Sequence, residues 1–175
     1  MTFELRIATS VDHDKVNFLV EMINKVYEKS ESNIWIDNHN RISKNRLIEI
    51  IKSKELLLAT NGNDICGCIH LEQVNDDIFK FKMLVANPVY NRRGIGSLLV
   101  EFAEQKAMDN NAKIMQLELL VPTEFIHDDK VFLDKWYTRI GYNQVEVHDV
   151  DYVHQGISQF LKVGCLAKVY HKKLS

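Results

Sequence analysis

Met83-Leu84-Val85-Ala86-Asn87-Pro88-Val89-Tyr90-Asn91-Arg92-Arg93-Gly94-Ile95-Gly96-Ser97-Leu98-Leu99 is the stretch on which the reading of this chain turns. An apolar run suited to a strand stops at Asn87-Pro88, a basic turn with two glycines follows, and a helical pattern begins at once. Leu98, Leu99, Phe102, Ala103 and Lys106-Ala107 recur at the spacing of one helix face. A strand feeding a glycine turn that opens a helix is a ready anion site. The first backbone N–H groups of the helix lack partners within it, and the helix dipole adds partial positive charge there. Gly94 and Gly96 let a ligand approach the main chain closely, and Arg92 and Arg93 bring mobile positive charge. The expected ligand is therefore phosphorylated, held by Arg92, Arg93, Gly94, Ile95, Gly96 and Ser97.

Two familiar nucleotide loops do not fit. The Walker pattern requires Lys and then Ser or Thr after its last glycine, where this chain has Leu98-Leu99. The dinucleotide fingerprint requires a third glycine where Leu99 stands.

The composition is that of an ordinary globular chain, and 175 residues read as one domain spanning 1–175 with a single sizeable core. A formal net charge of -2 gives no electrostatic reason to expect nucleic acid as a partner. No apolar run approaches the ~20 residues of a membrane helix, and Met1-Thr2-Phe3-Glu4-Leu5-Arg6 reads as neither a signal nor a transit peptide. Three cysteines, Cys66, Cys68 and Cys165, form no disulfide framework, so a reducing, cytoplasmic setting is expected. Strand alternation predicts the Cys66 and Cys68 thiols on one face. No set of co-ligands stands at metal-site spacing, and His127 in particular has none, so no metal is expected.

Along the chain, 3–7 alternates like a strand. Ser10 is the expected cap of a helix burying Val11, Phe18, Leu19, Met22, Ile23 and Val26. A second helix is predicted over 43–53, with Leu47, Ile48 and Ile51 inward. Strands at 55–60, 65–74 and 78–86 form a meander, its first turn at Asn61-Gly62-Asn63-Asp64. A long helix to about 110, a strand at 114–121, a helix at 130–140 and strands at 142–150 and 160–170 complete the order. The class is α+β, a mixed sheet with helices on its faces.

The glycine turn, written Asn91-Arg92-Arg93-Gly94-Ile95-Gly96 after the lead-in Leu84-x-Ala86-x-Pro88-x-Tyr90, resembles the coenzyme A loop of the GCN5-related N-acetyltransferase (GNAT) family. The first signature position, Gln or Arg in the family, is Asn91 here. A second motif, Tyr137-Thr138-Arg139-Ile140-Gly141-Tyr142, is similar to the family's helix-ending Tyr followed by Gly and an aromatic. The element order agrees with that family over nearly the whole chain. The resemblance implies a mostly antiparallel central sheet flanked by helices, with a splayed pair of strands holding the cofactor. It implies acetyl-CoA as co-substrate, its diphosphate on the amides of residues 92–97 and its pantetheine arm along Leu84, Val85 and Ala86. It implies direct attack by an amine in a ternary complex, with Tyr137 as general acid toward the departing thiolate.

An ammonium has no lone pair, so the acceptor must lose a proton before it attacks. Glu118, in Gln116-Leu117-Glu118-Leu119-Leu120, is the first candidate to take it. Glu72, His70 and an ordered water remain alternatives, since Lys80 stands near another family position for a base. Lys130 occupies the place where many relatives carry an Asn that contacts the cofactor arm. Residues 122–129, with Glu124, Asp128 and Asp129, form either an acidic greeting for a cationic substrate or a solvated loop. Trp35, His39 and Arg41 stand in the part of the family fold that lines the acceptor pocket. The expected partner is a small-molecule or peptide amine, with no nucleic acid or membrane and with homodimers common among such enzymes. The rival reading is a coenzyme A-binding sensor or interaction module that lacks transfer activity.

Overall fold

A computed structural model describes residues 2–175. Along the chain run β1 (Glu4–Ile7), α1 (Val16–Glu31), α2 (Lys44–Lys52), β2 (Leu56–Asn61), β3 (Asp64–Gln73), β4 (Ile78–Ala86), α3 (Ile95–Asp109), β5 (Ile114–Pro122), α4 (Asp128–Arg139), β6 (Asn143–Asp149), α5 (Val150–Val153) and β7 (Cys165–Lys173). The strands form one sheet in the order β1-β2-β3-β4-β5-β7-β6, antiparallel except at β4 and β5. Parallel neighbours need a crossover, and α3 supplies it.

The sheet is covered on both faces, which explains the unalternating run Leu56-Leu57-Leu58-Ala59 in β2. Leu56 and Leu58 pack with Leu19 and Ile23 of α1 and Leu47, Ile50 and Ile51 of α2. Leu57 and Ala59 pack with Leu99, Val100 and Ala103 of α3. A third cluster joins Ile34 to Val150, Cys165 and Ala167 beyond β5.

Two bulges shift the alternation. In β3, Ala59 opposes Gly67 and Thr60 opposes Ile65, which leaves Cys66 as an extra residue. The thiols expected on one face therefore lie on opposite ones, Cys66 in the α3 layer and Cys68 in the α1–α2 layer. In β4, Cys68 opposes Val85 and His70 opposes Lys82, so Met83 and Leu84 together face Ile69. Met83 holds a φ of 55°, a conformation costly for an ordinary side chain. Below this bulge Phe79 and Phe81 enter the α3 layer, and above it Met83 and Val85 enter the opposite one.

The second bulge adjoins a fork. β4 and β5 pair only at Ile78↔Ile114, Phe79↔Met115 and Lys80↔Gln116. From there β4 runs on bonded to β3 alone, and β5 to β7.

Four sequence expectations change here. The cap is Thr9 rather than Ser10: Thr9 and Asp12 form a capping box over a 3-10 turn, Ser10–Lys15, and α-helix starts only at Val16. Val11 lies in that turn, outside the α-helical phase, and Phe18 points off the buried stripe, so both are exposed. Ile50, not Ile48, joins Leu47 and Ile51 in the buried face of α2. The last strand begins at Cys165 rather than 160, because Ile157–Phe160 coils into a 3-10 turn after Gly156 and Leu161 bridges Trp35.

Candidate active site

At the end of β4, Asn87 is nearly buried and its side chain fastens the lead-in. Its amide donates to the Ile65 carbonyl at 2.9 Å, and its oxygen accepts the Val89 N–H at 3.1 Å. The Tyr90 hydroxyl donates to Asp64 at 2.9 Å. The chain then passes through Arg92 at φ 59° and Gly94 at φ 74°, both left-handed. A Cβ at Gly94 would meet nothing within 4 Å, so glycine is needed there for backbone conformation and open approach, not for internal packing. The first bond closing α3 runs from Leu98 N–H to Gly94 C=O at 3.1 Å. The amides of Ile95, Gly96 and Ser97 thus precede the helical ladder and are free to accept an anion. A Cβ at Gly96 would lie 3.7 Å from Trp136 of α4, so α4 closes one side of this turn.

The close seating of α3 has its own requirement. A Cβ at Gly67 would come within 2.7 Å of both Ile95 Cγ2 and the Val85 carbonyl, so the helix start can lie this near β3 and β4 only over a glycine.

Within the fork lies a cleft of about 530 Å³ whose walls include Leu84, Leu117, Glu118, Tyr137, Lys130 and His154. Tyr137 is packed among Phe81, Trp136 and Tyr142. Burial pushes its phenol well above the ordinary tyrosine value, which keeps the proton on the oxygen at neutral pH. Such a group can donate a proton and cannot serve as a resting base. Leu84 shares the cleft, Val85 is buried in the α1–α2 layer, and Ala86 ends the strand opposite Gly67. The six cradle residues stand beyond the far end of this strand edge rather than in the cleft walls.

Glu118 sits just past the point where the fork opens, with its side chain 14% exposed. One carboxylate oxygen accepts from Lys80 Nζ at 3.2 Å and Gln116 Nε2 at 3.4 Å. The other lies 2.8 Å from His154 Nε2. Burial alone would raise the Glu118 carboxyl, but His154 and Lys80 more than offset it and hold it below its usual range. His154, capping α5, is half exposed and faces the same cleft. No sequence signal singled it out, because it lies 36 residues from Glu118 in an irregular segment.

The other base candidates are already paired, although His70 also borders the cleft. His70 is 2% exposed with Nε2 3.0 Å from Glu55, and Glu72 pairs with Lys82 at 2.5 Å. The strand face that carries His70 is thus a buried one. Burial also pushes the thiols up, Cys68 to about 12 and Cys165 to about 11, so neither is a ready nucleophile.

The remaining wall comes from α1 and the connection after it. Lys130, at the position where relatives carry Asn, is buried and bonded to Glu31, whose second oxygen accepts Trp35 Nε1–H at 2.5 Å. Trp35 and Arg41 line the cleft. His39 does not line it, but stacks on Trp35 at 4.4 Å. The acidic loop splits in its roles: Glu124 accepts the Gly164 N–H at 3.0 Å, while Asp128 and Asp129 are exposed in the first turn of α4. His127 Nε2 meets the Ser30 carbonyl at 2.9 Å.

The residues present fit coenzyme A on structural grounds: a glycine cradle open to approach, an unpaired strand edge leading from it, and a cleft at the end of that edge. No curated protein sequence matches the chain. Solved structures share its fold. The PaiA N-acetyltransferase from Thermoplasma acidophilum in complex with coenzyme A superposes with a TM-score of 0.73 at 17% identity, over 99% of both chains. An aminoglycoside 6′-N-acetyltransferase complexed with coenzyme A gives 0.72 at 13% identity, over 98% of this chain and 97% of that one. N-acetylglutamate synthase from Neisseria gonorrhoeae, complexed with coenzyme A and N-acetyl-glutamate, gives 0.68 at 16% identity. This chain is covered in full there but spans only 36% of the synthase. Residues 52–144, just over half of the sequence, match the family model described as Acetyltransferase (GNAT) domain, and on that match this chain belongs to the GNAT acetyltransferase family.

Proposed function

We propose that the protein moves an acetyl group from acetyl-CoA to the primary amine of a small molecule or peptide, by direct attack within a ternary complex. The observation that carries this reading is the fork: an unpaired edge of β4 joins a left-handed glycine cradle at one end to a buried, protonated phenol at the other. Amides at residues 92–97 and the edge at Leu84, Val85 and Ala86 would hold the coenzyme. Bound there, acetyl-CoA supplies an activated acetyl group and a thiolate leaving group.

Tyr137 is the general acid, delivering its proton to the departing sulfur. Glu118 serves the amine's proton through His154. Its own oxygens are taken up by Lys80, Gln116 and His154. His154 reaches solvent and the cleft and can hand a proton on, while the carboxylate fixes which ring nitrogen carries it. The cytoplasm, where acetyl-CoA and reduced thiols coexist, is the proposed setting.

The test is release of free coenzyme A thiol from acetyl-CoA across a panel of amines, with Tyr137→Phe as control. Turnover by the wild type and a loss of about 100-fold in kcat in the variant, at unchanged coenzyme affinity, are expected. Coenzyme binding without transfer to any amine would favour the sensor reading, and a fully active Phe variant would remove Tyr137 from the chemistry.

A further inference from the structure

Among the described residues the cleft wall carries five Lys and Arg side chains, and four are matched within the protein. Lys80 pairs with Glu118, Lys82 with Glu72, Lys130 with Glu31 and Arg46 with Glu49. Arg41 has no carboxylate within ion-pair distance among the described residues. Its guanidinium lies over the Tyr27 ring, 5.0 Å from the centroid, and interacts with the Tyr27 hydroxyl, a neutral partner that leaves its charge unmatched. Its Nε is fully buried and makes no hydrogen bond. A buried donor left unmatched costs on the order of 1–3 kcal/mol, so the protein holds this guanidinium in the cleft wall at a cost to its own stability. The carboxylate in the same wall without a pair is Asp129, exposed at the start of α4, where the helix itself favours negative charge.

Resting on the acetyl-transfer reading above, we propose that Arg41 forms an oxyanion subsite in the acceptor end of the cleft. The acceptor is then a small amine that also carries a carboxylate or phosphate, and not a polycation. A guanidinium anchored beside an aromatic ring in the cleft wall presents its remaining N–H groups as a fork suited to two oxygens of one anion. The same charge repels polyamines and aminoglycosides. The amine end of the acceptor meets the His154–Glu118 pair, and the anionic end meets Arg41.

The test compares acetyl transfer to alanine, glutamate and phosphoethanolamine with transfer to alaninamide and spermidine. The anionic acceptors should exceed the other two by about tenfold or more in kcat/KM. Carboxylate against phosphate then identifies the anion. Arg41→Gln should erase the preference by raising KM for the anionic acceptors, leaving alaninamide within about twofold. The rise in Tm produced by coenzyme A should be the same in both proteins. Equal use of alanine and alaninamide, preference for spermidine, or an equal loss on both acceptor types in Arg41→Gln overturns the subsite. Should coenzyme A raise Tm while no acceptor turns over, the transfer reading fails by itself. Calorimetry on the coenzyme-loaded protein then decides the subsite: tighter binding of N-acetylalanine than of N-acetylalaninamide, lost in Arg41→Gln, supports it, and the absence of that difference overturns it.

Discussion

The glycine cradle and the cleft beyond it are built from different material. The cradle, the proposed coenzyme end, is main chain: amides at the start of α3, left-handed Arg92 and Gly94, and the β4 edge that faces away from β3. The cleft, the proposed acceptor end, is side chain, drawn from α1, the connection to α2, β5, α4 and α5, and held by Lys130–Glu31, Lys80–Glu118 and His154–Glu118. Main-chain sites depend on backbone conformation, which one contiguous stretch can specify. Side-chain sites depend on which distant residues the fold brings together. The first kind suits a ligand shared by a whole family, and the second leaves acceptor choice open to change without touching the cradle.

The contrast breaks most sharply at Gly94. An aspartate there can adopt the left-handed conformation but projects a carboxylate where the diphosphate is expected, so Gly94→Asp should abolish coenzyme binding, by about 100-fold or more in Kd. Circular dichroism and Tm should remain those of the wild type. Weak binding together with a collapsed Tm would mean that the turn is structural rather than a ligand site. At the other end, His154→Ala should lower kcat by about 100-fold while coenzyme affinity, measured by calorimetry, stays constant. A parallel loss of coenzyme affinity would show that the two ends are not separable.

Gly67 links the ends to the core. Gly67→Ala forces Ile95 and the Val85 carbonyl apart and should cost about 1–3 kcal/mol in urea unfolding. Because Ile95 begins α3, coenzyme affinity should fall with it. Unchanged affinity would detach the cradle from its seat on β3.

The smallest effect concerns the approach to α1. Asp12 is buried against Arg6 at 2.7 Å, and that hydrogen bond holds its carboxyl below the usual value. A depressed carboxyl contributes stability that is fully present above its unfolded pKa of about 4 and is lost as pH falls through the folded value. Asp12→Asn should thus cost about 2 kcal/mol near neutrality. The gap from wild type should close on acidification below about pH 4. A gap that persists in acid would trace it to the cap at Thr9 rather than to charge.

What was legible in the sequence follows the same division. The strand–turn–helix at 83–99 announced itself because periodicity, Asn87-Pro88 and the glycines lie side by side. The meander and the long helix were readable for the same reason. Bulges at Cys66 and Met83 were not, since an extra residue leaves no compositional mark and only the partner strand reveals it. His154 carried no signal, being ordinary in its own neighbourhood and meaningful only beside Glu118. Lys130 could be seen as a departure from the family, but its partner Glu31 lies 99 residues earlier. The strand expected from 160 gave way because Leu161 serves Trp35, a contact that no local pattern encodes.

The bend at Met83 is a gather in the hem of β4: Lys82 still meets His70 and Val85 still meets Cys68, with one residue more on this strand than on its partner. Removing that residue would leave both faces as they are and take out the kink and its added twist. β4 would then lie flatter beside β5, and the gap meant for the coenzyme's arm would zip shut. One uncomfortable torsion thus holds two neighbouring strands apart.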